Sequence, residues 1–424
     1  MMKGIFKRLA AVLACVLLGV AGFGWWYAYP GRGPREHVNP SEKAYVETIE
    51  GTTVLHVKGS PYEMGYQHGA LLKDSIHRGL NAFNNLLKMG SKEIHVPVFV
   101  LNFALDCVYR GCSPYIPDRY KREMEGIADG SGISLRALRR LHVISEVTER
   151  HCSSFAVFKS ATADGKLYHG RNFDWNMEAG LQDNPVLILY EPDGYAPFAS
   201  AGYAGLAGVL SGMSMEGICI SQIGAVTKDG RSFGVPLMFL LRRFLEESRC
   251  VEDATRIVKH AHRTVGYNYV VSDGDRREAR AYETSAHHCA VFTAGDPRET
   301  VEYAIPIKDA VFRADEAMDQ TVRRFQTCAR GYPNMPYGSD SYDHRYKGMA
   351  TDIKASFGKI DANIALDILK NAAMRNVNLH SVLCNVTDRE MWVAHAKGEE
   401  DAWRQPFVHY DLKNLFLPPD QRGK

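Results

Sequence analysis

The feature that most constrains this chain is a change of texture at Cys152. From Pro61 to about residue 148 apolar residues recur with helical spacing; after Cys152 come short strand-like runs separated by turn residues. The spacing predicts a helix from Pro61 through Ile76, Pro61 being suited to a first helical position. Gly65 and Gly69 inside it each cost roughly 1 kcal/mol against alanine, so close packing on another element is expected to compensate. Asp118–Gly130 and Leu135–Val147 read as further helices, the second with Ser134 as its N-cap. Beyond Cys152, Ser154–Lys159 and Leu167–Asn172 read as strands joined by the turn Ala163-Asp164-Gly165-Lys166. Strands follow at Val186–Tyr190, Gly217–Ile223, Tyr267–Ser272, Ala279–Thr284, Cys289–Thr293, Ser381–Val386 and Met391–Ala396, with helices at Val235–Glu247 and Val251–His260. Helices grouped between hairpins predict an α+β layered domain.

The N-terminus stands apart. Lys3, Lys7 and Arg8 precede an uncharged run from Leu9 to Tyr29, and the first acidic residue is Glu36. About twenty apolar residues cross a bilayer as a helix, and Trp25, Trp26 and Tyr27 suit its interfacial belt. Residues 1–29 are expected to be a membrane anchor, in preference to a removable signal segment. The body is accordingly expected outside the cytoplasm, or secreted if the segment is cleaved. Residues 30–40, PGRGPREHVNP, read as a linker. The 51 basic and 49 acidic side chains are interspersed, which leaves no one-signed footprint for nucleic acid. Nine cysteines include no CxxC and no zinc-like spacing with histidine. Cys107 and Cys112 are spaced for a local disulfide in an oxidising compartment.

The chemistry concentrates at Cys152. A hairpin returns Gly170-Arg171-Asn172-Phe173-Asp174-Trp175 beside its own start, so Arg171 and Asp174 are expected to supply fixed charges next to Cys152. The alternative on spacing alone is a surface Arg–Asp pair beside a structural cysteine. A papain-like site is disfavoured, because the residues after Cys152 read as a strand.

Three stretches carry a resemblance. The first is Cys152-Ser153-Ser154-Phe155 followed by Asp164-Gly165-Lys166-Leu167-Tyr168-His169-Gly170-Arg171-Asn172-Phe173-Asp174. The second is Ala201-Gly202-Tyr203-Ala204-Gly205 leading to Gly212 and Gly217. Upstream stand Gly59-Ser60-Pro61-Tyr62-Glu63-Met64-Gly65-Tyr66-Gln67-His68-Gly69 and Glu123-Met124-Glu125-Gly126-Ile127-Ala128-Asp129-Gly130. In these the chain resembles the N-terminal-nucleophile cysteine hydrolases of the acid ceramidase, bile-salt (choloylglycine) hydrolase and penicillin acyltransferase type, over roughly residues 50–415.

The resemblance implies a four-layer αββα sandwich and a precursor cut between His151 and Cys152. Residues 41–151 then form a helical pro-segment, or alpha chain, and 152–424 the catalytic beta chain. A free α-amine titrating near 7.7–8.0 can take the proton of a thiol near 8.5 and return it to a leaving amine. By the same resemblance Asp174 orients the α-amine, Arg171 favours the thiolate, Asn172 supports the site, and Arg324 matches an arginine of the relatives. Backbone donors in Ser214–Gly224 would meet the oxyanion. The chain departs from its relatives at their Thr-Asn pair, the matching stretch being Ile305-Pro306-Ile307-Lys308-Asp309, and at a strand-end asparagine, where Ser221, Gln222 and Gly224 stand. Asn268 reads as a structural strand residue.

The implied activity is hydrolysis of linear, non-peptide amides, N-acyl lipids or acylated amines, through an acyl-Cys152 thioester. It needs neither metal nor cofactor. The expected partners are a small acylated amide and, through residues 9–29, a membrane. Two alternatives are acyl transfer to an amine, and a non-catalytic, membrane-tethered protein that binds acyl ligands.

Overall fold

A computed structural model describes residues 31–146, 151–225, 227–326 and 340–423. The expected membrane segment, residues 9–29, lies outside these; among the described residues no helix is long and apolar enough to cross a membrane. Residues 31–36 of the linker lie along a helix of the body, where Arg122 donates to Pro34 O at 2.8 Å and pairs with Glu36 at 2.5 Å.

After a single helical turn at Pro40–Lys43, the segment before Cys152 forms strands β1 (Tyr45–Ile49) and β2 (Thr52–Gly59) and continues through five longer helices. Helix α1 (Pro61–Leu71) starts where Ser60 and Glu63 exchange side-chain and backbone hydrogen bonds around Pro61. It ends at Leu71, short of the predicted Ile76, and α2 (Lys73–Ile94) follows. Next come α3 (Val98–Cys112), α4 (Asp118–Ser131) and α5 (Leu135–Leu141). Ser134 holds the N-cap position of α5 without a side-chain capping bond, and the helix is shorter than predicted. Cys107 and Cys112 are free buried thiols. Both lie on α3, where five residues turn roughly 140° about the axis, so the expected disulfide does not form.

The glycines find the close partner that their cost required. A Cβ on Gly65 would lie 2.1 Å from Glu123 O, and one on Gly126 would lie 2.2 Å from Tyr62 O. Gly69 and Gly130 repeat this one turn on, at 2.4 Å from Ile127 O and 2.3 Å from Tyr66 O. Helices α1 and α4 thus interlock backbone to backbone through two Gly-x-x-x-Gly faces.

Two sheets form the rest. One runs β1, β2, β5 (Pro185–Pro192), β6 (Phe198–Tyr203), β7 (Ser211–Ser214), β8 (Ile218–Gly224), β9 (Tyr267–Asp273), β10 (Glu278–Thr284), β11 (Cys289–Phe292). The other runs β12 (Ala310–Arg313), β3 (His151–Val157), β4 (Tyr168–Asp174), β13 (Asn378–Asn385), β14 (Glu390–His395), β15 (Val408–Asp411). Every pairing is antiparallel except β2 with β5. Strand β3 packs on β8 and β9, so the sheets meet face to face. Helices α6 (Leu237–Glu247) and α7 (Val251–His260) cover the first sheet. After the short α8 (Gln320–Phe325), α9 (Asp340–Ala355) and α10 (Ala362–Asn371) cover the second. The layers therefore run helix, sheet, sheet, helix.

Residues 41–151 are not helical throughout, since β1 and β2 extend the first sheet alongside β5. The two parts are also locked by charge: buried Arg242 of α6 donates to Glu123 of α4 and to Glu246, each at 2.7 Å.

Candidate active site

Strands β3 and β4 pair from their first and last residues, His151 opposite Asp174, Cys152 opposite Phe173, and Ser154 opposite Arg171. Side chains alternate along a strand, so Cys152, Ser154, Arg171 and Phe173 share one face and His151, Ser153, Asn172 and Asp174 the other. The first face meets the opposing sheet. The second meets α9 and α10.

On the inner face Arg171 Nη2 lies 3.8 Å from Cys152 Sγ and 3.5 Å from Gln222 Oε1, while Nη1 donates to Ser211 Oγ at 2.7 Å. Arg171 is 1% exposed, and no carboxylate pairs with it among the described residues. Buried charges are costly unless paired, and the group best placed to supply the missing anion is the Cys152 thiolate. In the uncut chain burial pushes the Cys152 thiol up, and Arg171 is the largest influence pulling it back. Gln222 is fully buried, and its Nε2 has no hydrogen-bond partner among the described residues. Arg171 has only donors, so it fixes Oε1 toward itself and turns Nε2 away as a spare donor.

The outer face differs from the expectation. The Asp174 carboxyl lies on the opposite face from the thiol, because a residue three places from Arg171 on a strand must face the other way, though its backbone amide and its charge still act on Cys152. Its Oδ1 accepts from Asn378 Nδ2 at 2.8 Å, and Oδ2 lies 3.4 Å from Arg345 Nη1. Burial raises its carboxyl to about 7 against the opposing pull of Arg345 and Asn378. Arg345, on α9, also donates to Cys152 O at 2.8 Å and to Asp315 Oδ2 at 2.6 Å. Asp315 in turn accepts from His151 Nδ1 at 2.7 Å and from Cys152 N at 3.4 Å. Burial opposes its ionisation, yet Arg345 and His151 hold it below the usual carboxylate range.

Other expected residues fall elsewhere. Asn172 faces α10, donating to Leu369 O at 2.8 Å and Ser153 Oγ at 3.0 Å, so it ties strand to helix rather than lining the thiol. Arg324 is exposed on α8, whose buried residue is Val322, two positions away. The arginine at the site is Arg345. Asp309 lies at the far end of β3, accepting from Ser160 N at 3.2 Å, so Ile305–Asp309 supplies nothing to the cysteine. The residue from this region that does is Asp315, just past β12. Asn268 is structural as read, donating to Ala314 O and Glu316 O at 3.1 Å each. Nothing local in the sequence marks Asp315 or Arg345; only pairing of β12 with β3 and packing of α9 bring them in.

Near this cluster lies a small apolar cavity of about 40 Å³. Phe83 and Leu86 of α2, Phe173, Trp175, Leu210 and Met238 line it. Cys152 does not line it, but Phe173, its register partner across the β3–β4 pair, does. Among the described residues no cluster of His, Cys, Asp or Glu is arranged to hold a metal.

The family model "Acyl-coenzyme A:6-aminopenicillanic acid acyl-transferase" matches residues 160–302. Rat N-acylethanolamine-hydrolyzing acid amidase is 23% identical over 194 residues, 43% of this chain and 51% of that protein. The 40 kDa form of the acyl-coenzyme A:6-aminopenicillanic-acid acyltransferase of Emericella nidulans is 24% identical over 238 residues, 55% of this chain and 64% of that one. This chain is a relative of the penicillin-acyltransferase group of N-terminal-nucleophile hydrolases. It is also similar to Dictyostelium discoideum protein dcd1B, 29% identical over 412 residues, 87% of this chain and 76% of that protein.

Proposed function

We propose that the chain is a self-processing cysteine amidase. Its His151–Cys152 bond breaks, and the freed Cys152 then hydrolyses linear amides of N-acyl lipids or acylated amines. The observation that carries this is the environment of Cys152: a thiol at a strand end, a buried guanidinium at 3.8 Å that pairs with no carboxylate among the described residues, and a carboxylate at the Cys152 amide. Structural cysteines have no need of such a setting.

In the mature enzyme the α-amine of Cys152 takes the thiol proton, Sγ attacks the substrate carbonyl, and the amine returns the proton to the leaving nitrogen. The tetrahedral oxyanion needs a donor at hand. Gln222 Nε2 is a buried donor with nothing else to bind among the described residues, and it takes the place of the absent asparagine. The apolar cavity beside Phe173 suits the hydrocarbon of an acyl group, since its lining is almost wholly carbon. Residues 9–29 as a membrane anchor, with the catalytic body outside the cytoplasm, would bring the site close to lipid-derived amides; this part rests on the sequence alone.

Transfer of the acyl group to an amine is a second reading, favoured by the description of the matching family. The test is amine release from N-acyl amides of graded chain length, with and without an added acceptor amine, beside Cys152→Ala. Release that needs Cys152 and rises with acyl length supports the amidase. Acyl product that appears only with acceptor supports transfer. Tight acyl binding without turnover in the reduced, processed wild type would contradict both and leave a binding protein.

A further inference from the structure

We propose that Asp315 is a catalytic carboxylate that serves Cys152 twice: it offsets charge at the nitrogen during self-cleavage, then holds the α-ammonium that cleavage creates. This rests on the self-processing reading above. In the uncut chain Asp315 Oδ1 lies 3.4 Å from Cys152 N, and Oδ2 accepts from His151 Nδ1 at 2.7 Å. One carboxylate therefore touches both residues of the bond to be broken. The loop that carries it is fixed on either side. Asn268 donates to the carbonyls of Ala314 and Glu316 at 3.1 Å each, and Gln326 Nε2 donates to Asp315 O at 3.2 Å. Arg345 joins Asp315 Oδ2 at 2.6 Å to Cys152 O at 2.8 Å, clamping carboxylate and strand end together. The resemblance gives the amine to Asp174. Here the oxygen within reach of Cys152 N belongs to Asp315, and Asp174 connects to the strand end through Arg345.

The steps balance as follows. Cys152 Sγ, having lost its proton, attacks the His151 carbonyl carbon, so a C–S bond forms and the C–N bond breaks. The electron pair of the broken bond stays on Cys152 N, which takes up the proton the thiol gave up. Water then cleaves the His151 thioester, leaving a carboxylate on His151 and regenerating the thiol. The new amine protonates from solvent to an ammonium. Positive charge thus builds at a nitrogen that already faces Asp315. An amide side chain of the same shape could accept the hydrogen bond but could not offset that charge.

The test compares self-cleavage and turnover of the full chain with those of Asp315→Asn and Asp315→Glu. Asp315→Asn is expected to slow cleavage about 10- to 100-fold, the worth of one hydrogen bond to a charged group. In whatever fraction matures, kcat should fall while KM stays within about two-fold, as for an interaction made in the transition state. Asp315→Glu should restore much of both. Asp315→Asn that melts with Cys152→Ala yet cleaves at the wild-type rate would overturn the assignment and leave the self-processing reading intact. If Asp315→Asn fails to fold, a folded Asp315→Glu that stays uncut would overturn it instead. A wild type that never cleaves would remove the reading and this inference together.

Discussion

Replacing Arg171 by methionine removes the cation that stands 3.8 Å from Cys152 Sγ. At that separation and an effective dielectric of about 20, the attraction between guanidinium and thiolate is about 4 kcal/mol, equivalent to about three pH units in the thiol midpoint. That figure is a ceiling, because polar groups and water relax into the space left behind. Arg171→Lys keeps the charge but loses the planar fork that reaches Ser211, Gln222 and Sγ together. The assay is the pH dependence of iodoacetamide alkylation, quantified on the peptide that carries Cys152, with variant and wild type in the same processing state. Arg171→Met should move the midpoint to the alkaline side by about one to three units, and Arg171→Lys by less. A folded Arg171→Met whose midpoint stays within about half a unit of the wild type would refute the pairing of this guanidinium with the thiolate.

Four further outcomes follow from the geometry. Gly126→Ala, whose Cβ would sit 2.2 Å from Tyr62 O, should destabilise the Cys152→Ala protein by about 1–3 kcal/mol in urea denaturation. Gly348→Ala on α9, where a Cβ meets nothing within 4 Å, should gain up to about 1 kcal/mol. Gln222→Leu should lower kcat roughly 10²- to 10³-fold, with Gln222→Asn between; unchanged turnover would exclude Nε2 as the oxyanion donor. Finally, the Asp174 carboxyl stands at about 7 in the folded chain against about 3.9 unfolded. Folding therefore favours its protonated form, so this contribution to stability is full below about pH 4 and lost as pH rises through about 7. The Asp315 contribution runs the other way, lost on acidification. In the Cys152→Ala background, the melting temperature with Asp174 minus that with Asp174→Asn should fall between about pH 5 and 8, and a rise would contradict the assignment.

Much of the fold was legible because its signals are local. The Ala163–Lys166 turn with its flanking alternation gave the β3–β4 hairpin, and Pro61 behind Ser60 gave the start of α1. Gly65 and Gly69 announced a close partner, though the sequence did not name α4. At the site, the hairpin reading brings Arg171 close to Cys152, as the pairing of β3 with β4 does, while the roles given to the two rest on the resemblance. Arg171 and Asp174 both act as charges on the Cys152 thiol, but three residues along a strand change face, so the Asp174 carboxylate meets Arg345 on the other side of the sheet. Asp315 and Arg345 were out of reach. Their partners lie 163 and 193 residues away, and no period or turn signal links them. Arg324, matched through the resemblance, is exposed on α8 while Arg345 turns toward Cys152, and which arginine of two helices turns inward depends on packing decided by Val322 and by the strands beneath α9.

The most direct test of the central claim is the intact mass and N-terminal sequence of purified full-length protein under reducing conditions, beside Cys152→Ala. Two chains are expected in the wild type, the second beginning Cys-Ser-Ser-Phe, and one uncut chain in the variant. A wild type that stays a single uncut chain would contradict that claim.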